Sequence, residues 1–325
     1  MNRSVERRVK PVDVITGAMQ MRAMSEVREL KPTVVQQLIR LSQVRKLMFP
    51  SPQKLDYWST HPREPYAGLP SRAVRRKIDV ARNDLDGRPV YEVTPPAGGD
   101  IRGHMLYLHG GGYMVDLIPA VHWPFIARMA NMLRRTVTVP IYPLAPEHSY
   151  RDVFAFLLRV YERMLTAHPA DSVLVAGDSA GASMALALCH ALRDGGGQQP
   201  AAALLLSPWL DVTFSHPDVE AVARIDPALD IDRLRAAGNH YAGGDPLNTP
   251  LVSPGLGEMT ELPPLSIFTS THDVLNPDTR TFRGRAEAAG VKIQWHEQER
   301  AMHCWMMLPG RHTRTAIEAI RSDFL

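Results

Sequence analysis

The sequence predicts an α/β fold, with a mostly parallel central sheet and helices on both faces. Two observations carry this prediction. From about residue 104 onward, short apolar runs alternate with helical runs, which is the pattern of β-α units with buried parallel strands. The chain has 325 residues, 45% of them hydrophobic, so it is long enough to bury a large core.

The predicted elements follow one another along the chain. An antiparallel pair at 74–80 and 88–94, joined across the turn signal Asp86-Gly87, leads into the sheet. Further strands are predicted at 104–108, 136–141, 173–176, 201–206, 265–270 and 291–296. Helices are predicted at 124–133, 150–167, 180–193, 231–241, 277–289 and from about 311 to the end.

Two stretches outside this alternation are predicted to form a helical cap. Residues 1–70 are an N-terminal helical cap segment, with an amphipathic pattern from Val34 to Met48 and a proline-rich loop from Phe49 to Pro70. Residues 71–325 form the main α/β domain. About residues 213–257 interrupt its strand-helix order, and an excursion of this length predicts a second cap segment.

The other elements are organised around Gly177-Asp178-Ser179-Ala180-Gly181, which joins an apolar strand to a small-residue helix. This is the G-x-S-x-G pattern in the strand-turn-helix context that it requires. Glycines two positions either side of Ser179 let the strand and the helix pass closely, while the turn holds the serine in a strained conformation. We therefore predict that Ser179 is a nucleophile.

A second motif, His109-Gly110-Gly111-Gly112, follows the predicted strand at 104–108. Three consecutive glycines allow the backbone to curl and present its N–H groups inward. Together with the N–H of Ala180, those of Gly111 and Gly112 are predicted to form an oxyanion hole.

The acid and the base are predicted from the loops after the last two strands. Asp273 follows one strand and His303 follows the next, so the order Ser179, Asp273, His303 is that of an α/β-hydrolase triad. Three rivals stay open at this point. They are Asp278 for the acid, and His296 and His312 for the base.

Together these motifs resemble the hormone-sensitive-lipase-like esterases, the bacterial family IV group of α/β hydrolases. Further matching stretches are Tyr142-Pro143-Leu144-Ala145-Pro146-Glu147, Ser207-Pro208-Trp209-Leu210-Asp211 and Asp273-Val274-Leu275. The resemblance covers about residues 74–325. Members of the family usually have arginine where Pro143 stands and proline where Val274 stands. Neither departure removes a catalytic group.

The resemblance implies a catalytic domain of the α/β-hydrolase fold with a helical cap. It implies a serine carboxylesterase that acts on short- to medium-chain esters through an acyl-enzyme on Ser179, with no metal and no other cofactor. If Tyr113 and Trp209 face the serine, they would contribute to an apolar substrate pocket. An amidase or acyltransferase with the same triad is the alternative function, and a catalytically silent small-molecule receptor is another.

Composition, charge and missing motifs argue against several other classes of protein and partner. The net charge is +3 and the basic clusters are interrupted, so no nucleic-acid partner is expected. Two cysteines give no disulfide framework, and no apolar run approaches the roughly 20 residues of a membrane span. Without a secretory h-region, the expected location is cytoplasmic. The expected partner is a small ester, and a homodimer is a candidate assembly. Metalloprotease and P-loop motifs are absent from the sequence.

Overall fold

The computed structural model describes residues 50–63 and 68–325. Within these residues, eight strands form one sheet in the order β1-β2-β4-β3-β5-β6-β7-β8. The strands β1 and β2, and β2 and β4, pair antiparallel, and all the other neighbours are parallel. The strand bounds are β1 Asp79–Leu85, β2 Arg88–Thr94, β3 Gly103–Leu108, β4 Arg135–Pro140, β5 Val173–Asp178, β6 Ala202–Leu206, β7 Leu265–Ser270 and β8 Ile293–Gln298. The predicted mostly parallel sheet is confirmed.

The first hairpin corrects one predicted boundary. Asp86 and Gly87 both have positive φ, 51° and 73°, as a two-residue hairpin turn requires. This turn pairs Leu85 with Arg88 and places β1 at 79–85. The prediction of a strand over 74–80 was therefore wrong for most of its length. Residues 72–75 instead form a short helix whose N-cap is Ser71.

The helices agree with the predicted alternation, and their bounds differ by a few residues. They are α1 Pro52–Thr60, α2 Arg72–Arg75, α3 Pro119–Leu133, α4 Tyr150–Leu165, α5 Ala180–Asp194, α6 Val219–Ala223, α7 Ile231–Ala242, α8 Asn276–Ala288 and α9 Arg311–Phe324. Short 3₁₀ turns lie at 170–172, 254–256 and 305–307.

Helix α1 corrects the loop predicted over 49–70. Pro52 stands in the first turn, where its missing N–H is not needed, and Ser51 accepts a hydrogen bond from the N–H of Lys54. Proline at this position therefore starts a helix rather than preventing one. The amphipathic pattern from Val34 to Met48 lies outside the described residues.

The core has one layer on each face of the sheet. In β3, Leu106 and Leu108 belong to one apolar cluster, while Met105 and Tyr107 belong to the other. This is the two-residue alternation of a strand that is buried on both faces. Side chains of α4, α5 and α8 complete the first cluster, and side chains of α3 and α9 complete the second.

The interruption at 213–257 contains α6, α7 and the 3₁₀ turn at 254–256. Its side chains Phe214, Leu234 and Tyr241 are buried within the first cluster. The segment thus packs onto the α/β core, and its role as a cap stays a prediction. Over the described part of the chain, no helix is both long and apolar enough to cross a membrane.

Candidate active site

The turn between β5 and α5 holds Ser179 in a strained backbone conformation, with φ 54° and ψ −121°. A side chain on either flanking glycine would prevent the turn. A Cβ on Gly177 would overlap the backbone of Gly181, and one on Gly181 would overlap the carbonyl oxygen of Leu108 in β3. The two glycines are thus required by the close approach of the strand to the helix.

The glycine motif after β3 lies beside this turn. Gly111 and Gly112 have positive φ, 131° and 59°, so their peptide groups adopt orientations that other residues rarely reach. Within the described residues, the N–H groups of Gly111, Gly112 and Ala180 donate to no protein acceptor. Free N–H groups at a helix N-terminus and in a curled loop are suited to bind an oxyanion.

Asp178 fastens the glycine loop to the serine turn. Its Oδ1 atom accepts hydrogen bonds from the Gly110 N–H, at 3.0 Å, and from the Tyr107 hydroxyl, at 2.6 Å. A Cβ at Gly110 would overlap the same carboxylate. The Nε2 atom of His122 lies 3.4 Å from Oδ2. Burial by itself raises the pKa of Asp178, but His122 and Tyr107 together bring it below its ordinary value, so Asp178 is an anion.

His109 supports the same loop from the other side. Its Nδ1 atom lies 2.7 Å from the carbonyl oxygen of Gly110, and its ring stacks on Tyr142 at 4.3 Å. The Tyr142 hydroxyl donates to the carbonyl oxygen of His109. Burial, together with the nearby His122, lowers the pKa of His109 to about 3, so the ring is neutral at neutral pH. Its contacts indicate a role in shaping the loop.

Asp273 and His303 form a buried pair. Asp273 lies in the turn after β7, and the Nδ1–H of His303, after β8, donates to its Oδ2 atom at 2.8 Å. The second carboxylate oxygen of Asp273 accepts from the N–H of Leu275 at 3.0 Å. Burial lowers the pKa of His303, but Asp273 and Cys304 outweigh it and raise that pKa well above 6.5.

Hydrogen bonds to residues at the end of β6 connect the serine turn with the loop that holds His303. The N–H of Ser179 donates to the carbonyl oxygen of Leu206 at 2.8 Å, and the N–H of Cys304 donates to the hydroxyl of Ser207 at 3.0 Å. The end of β6 thus links the turn of Ser179 to the residue after His303. All three predicted triad residues lie beyond the carboxyl ends of parallel strands of one sheet, β5, β7 and β8, where ligand sites of such sheets form.

The three rivals lie in other surroundings. Asp278 is in the first turn of α8 and faces Asp211, and burial together with Asp211 raises its pKa to about 7. His296 is in β8, bonded to Asp323 at 2.8 Å. His312 lies in α9, edge-on to the Trp305 ring. The structure therefore pairs His303 with Asp273.

Comparison with known proteins identifies the family of this chain. A sequence profile described as alpha/beta hydrolase fold matches residues 105–307. The chain belongs to the α/β-hydrolase family. An acetyl-hydrolase of Streptomyces hygroscopicus is 33% identical over 220 residues, which are 67% of this chain and 73% of that protein. A carboxylesterase of Mycobacterium tuberculosis, NlhH, is 31% identical over 247 residues, 72% of this chain and 76% of that protein.

A solved structure places this hydrolase in the expected group. The crystal structure of a hormone-sensitive lipase from a metagenome library superimposes with a TM-score of 0.78 at 26% identity, covering 91% of this chain and 98% of that chain. The resemblance to the hormone-sensitive-lipase-like esterases is confirmed.

The two residues predicted to contribute to a substrate pocket are in the core of the hydrolase. The ring of Tyr113 lies between those of Tyr241, at 3.7 Å, and Trp209, at 5.0 Å. The Tyr113 hydroxyl donates to Ser183, and the Trp209 Nε1–H donates to the carbonyl oxygen of Asp211. Both side chains are fully buried. A direct contact with substrate stays a prediction for both.

Sequence reasoning missed three supporting residues of the hydrolase. Asp178 occupies the variable position of G-x-S-x-G, so the motif assigns it no role. Tyr107 is one of several apolar residues in its strand. Arg63 lies far upstream, yet its guanidinium bonds Glu147 at 2.6 Å and the carbonyl oxygens of Met114 and Ala145. Arg63 therefore supplies a guanidinium to the loop in which the family usually carries arginine at position 143.

No metal site is evident in the part of the hydrolase that the structure describes. In that part, no cluster of three or more His, Cys, Asp or Glu side chains is arranged to hold a metal ion.

Proposed function

We propose that this chain hydrolyses carboxylic esters through an acyl-enzyme formed on Ser179, with Asp273 and His303 as its partners. The observation that carries the proposal is the buried Asp273–His303 pair, 2.8 Å apart, next to Cys304, whose N–H bonds Ser207 at the end of β6. The relatives named as acetyl-hydrolase and carboxylesterase support the same reaction class.

The reaction proceeds in two steps. In the first step, Ser179 Oγ attacks the acyl carbon while His303 Nε2 takes its proton, and Asp273 stabilises the resulting imidazolium. The imidazolium then protonates the leaving alcohol, and the acyl group stays on Ser179. In the second step, His303 takes a proton from a water molecule as that water attacks the acyl-enzyme, and the same proton returns to Ser179 Oγ as the acid leaves.

The negative charge of each tetrahedral intermediate develops on the former carbonyl oxygen. The N–H groups of Gly111, Gly112 and Ala180 are the donors for this oxygen, since they have no protein acceptor among the described residues. In comparable sites, losing one such donor costs about 2.7–4 kcal/mol of transition-state stabilisation.

The substrate class is a small carboxylic ester with a short- to medium-chain acyl group. A panel of p-nitrophenyl esters of increasing acyl length, with a p-nitroanilide included, tests this assignment. We expect the highest kcat/KM on the shorter esters and no cleavage of the anilide. Comparable rates on the anilide would assign amidase activity instead.

The nucleophile is tested by labelling and substitution. An organophosphate should label Ser179, identified by peptide mass spectrometry, and Ser179→Ala should abolish both labelling and ester hydrolysis. Wild-type rates in Ser179→Ala would disprove the proposal. No labelling and no turnover by the wild-type protein would favour the silent receptor.

The homodimer and the cytoplasmic location stay predictions, which size-exclusion chromatography and cell fractionation test.

A further inference from the structure

Asp226 is a buried carboxylate in the segment between α6 and α7, and its hydrogen bonds reach beyond that segment. Its Oδ1 atom accepts from the N–H groups of Ala228, at 2.7 Å, and Leu229, at 2.9 Å. Its Oδ2 atom accepts from the N–H of Val274 at 2.8 Å. The first two bonds shape the local turn, whereas the third connects residues 48 apart in the chain.

The long-range bond holds the peptide unit that directly follows Asp273. The turn around Asp273 has its own bonds, from the N–H of Asp273 to Ser270 and from the N–H of Asn276 back to Asp273. These bonds lie within the turn, whereas the N–H of Thr271, at its start, donates to the carbonyl oxygen of Gln298 in β8. The Asp226 carboxylate fastens the turn from outside, next to the residue that bonds His303.

The bond to Asp226 requires the backbone N–H of Val274. The resemblance to the esterase family puts proline at this position, and proline has no N–H to donate. Proline would restrict the backbone by its ring, whereas valine leaves it free to rotate. In this chain an external acceptor can therefore restrain the turn in a way that proline excludes.

We propose that Asp226 is a positioning residue for ester hydrolysis, which ties the 213–257 segment to the Asp273 turn and keeps Asp273 Oδ2 on His303 Nδ1. The inference rests on the proposed function. A carboxylate accepting three N–H groups is a strong, directional anchor, and the reaction is sensitive to displacements of about 1 Å in its catalytic groups.

The anchor is titratable. Three backbone N–H groups face the Asp226 carboxylate, and the charged group beside it is Asp273. Burial, and then the Asp273 charge, raise the pKa of Asp226 to about 6, while the N–H groups act in the opposite direction. Below that pH, Asp226 becomes neutral and holds the Val274 N–H less strongly.

The first test compares Asp226→Asn with Asp218→Asn, the same change at an exposed position of the same segment. Asparagine has a single acceptor oxygen, so it cannot serve both the Val274 N–H and the local turn. On p-nitrophenyl acetate we expect D226N to lower kcat about 10- to 100-fold, with KM changed less than about twofold. D218N should match wild type.

The pH profile separates positioning from a general loss of structure. In wild type, log(kcat/KM) should fall with one proton as His303 protonates, and with a second proton below pH about 6 as Asp226 protonates. D226N should show the one-proton limb alone. Val274→Pro, which removes the donor, should also lose the second step, whereas Val274→Ala keeps the N–H and should retain it.

A double-mutant cycle tests whether Asp226 acts through its hydrogen bond to the Val274 N–H. D226N should cost little further activity in the V274P background, because the bond that it breaks is already absent. The inference is overturned if D226N matches D218N, if D226N costs as much in the V274P background as alone, or if V274P keeps the two-proton limb. If thermal unfolding shows that D226N does not fold, the pH profiles of V274P and V274A still test the inference. Failure of the proposed function is distinct, because it appears in wild type as absent organophosphate labelling of Ser179.

Discussion

The Nδ1 atom of His303 lies 2.8 Å from Oδ2 of Asp273, and both side chains are buried. Burial favours a neutral imidazole, whereas the neighbouring carboxylate favours the charged one. The carboxylate, together with Cys304, outweighs burial, and the pKa of His303 lies well above 6.5. Their contact therefore orients the imidazole of His303 and raises the pH at which that imidazole becomes neutral.

The first prediction is that kcat/KM rises with pH through the raised pKa of His303, because only the neutral imidazole accepts the serine proton. Asp273→Asn removes the charge that raises this pKa, so the limb should move to lower pH. The plateau should fall by about 10⁴-fold, since asparagine no longer holds the correct tautomer. Stopped-flow or plate assays across pH measure both effects. An unmoved limb in D273N would contradict the assignment.

The second prediction concerns the carboxylate that fastens the glycine loop. Asp178→Asn should lower kcat about 10- to 100-fold, because Gly110 loses a charged acceptor and the oxyanion donors shift. The control is Tyr107→Phe, which removes one bond to Asp178 and leaves the Gly110 bond in place. Y107F should therefore cost less. Steady-state kinetics on p-nitrophenyl acetate check this, and equal losses in the two variants would count against a loop-positioning role.

The third prediction is steric. Gly181→Ala should destabilise the protein by about 1–3 kcal/mol, because the new Cβ meets the backbone of Leu108 and His109, which cannot move aside. Gly284→Ala is the matched control, since Gly284 is also helical and has no atom within 4 Å of its added Cβ. G284A should gain about 0.5–1 kcal/mol from helix propensity. Urea unfolding measures both, and similar values would refute the close approach.

The fourth prediction is a stability change that depends on pH. The folded pKa of Asp278, about 7, is above its ordinary 3.8, so the folded state binds more protons in this window and loses stability as pH rises through it. Asp278→Asn removes the buried charge beside Asp211 and should stabilise the protein at pH 8 by up to about 4 kcal/mol.

The gain from D278N should be smaller at pH 5, where the folded protein already holds the proton. Thermal unfolding at the two pH values measures this difference. Glu287→Gln, an exposed change on the same helix, controls for helix composition. An equal gain at both pH values would contradict the assigned pKa.

The bounds of strands and helices were predicted well where the local sequence signals are strong. The strand at 265–270 was placed to the residue, and Ala180 was correctly the first residue of its helix. The first strand was predicted several residues too early, because an apolar pattern does not specify register. The two-residue turn and the pairing with β2 specify it. Residues 52–60 were predicted as loop because proline breaks a helix when it lies in the interior. They form a helix because proline is tolerated in the first turn.

Sequence by itself determined the strand-helix alternation and the serine turn with its two glycines, and it predicted the order of nucleophile, acid and base. These depend on backbone requirements that neighbouring residues express locally. Only the tertiary structure decided that His303 pairs with Asp273 rather than Asp278, that Asp178 holds the glycine loop, and that Asp226 reaches Val274. Such contacts join residues 30, 68 and 48 positions apart. They exist because parallel strands bring separate loops to one edge of the sheet, a placement that no single stretch of sequence specifies.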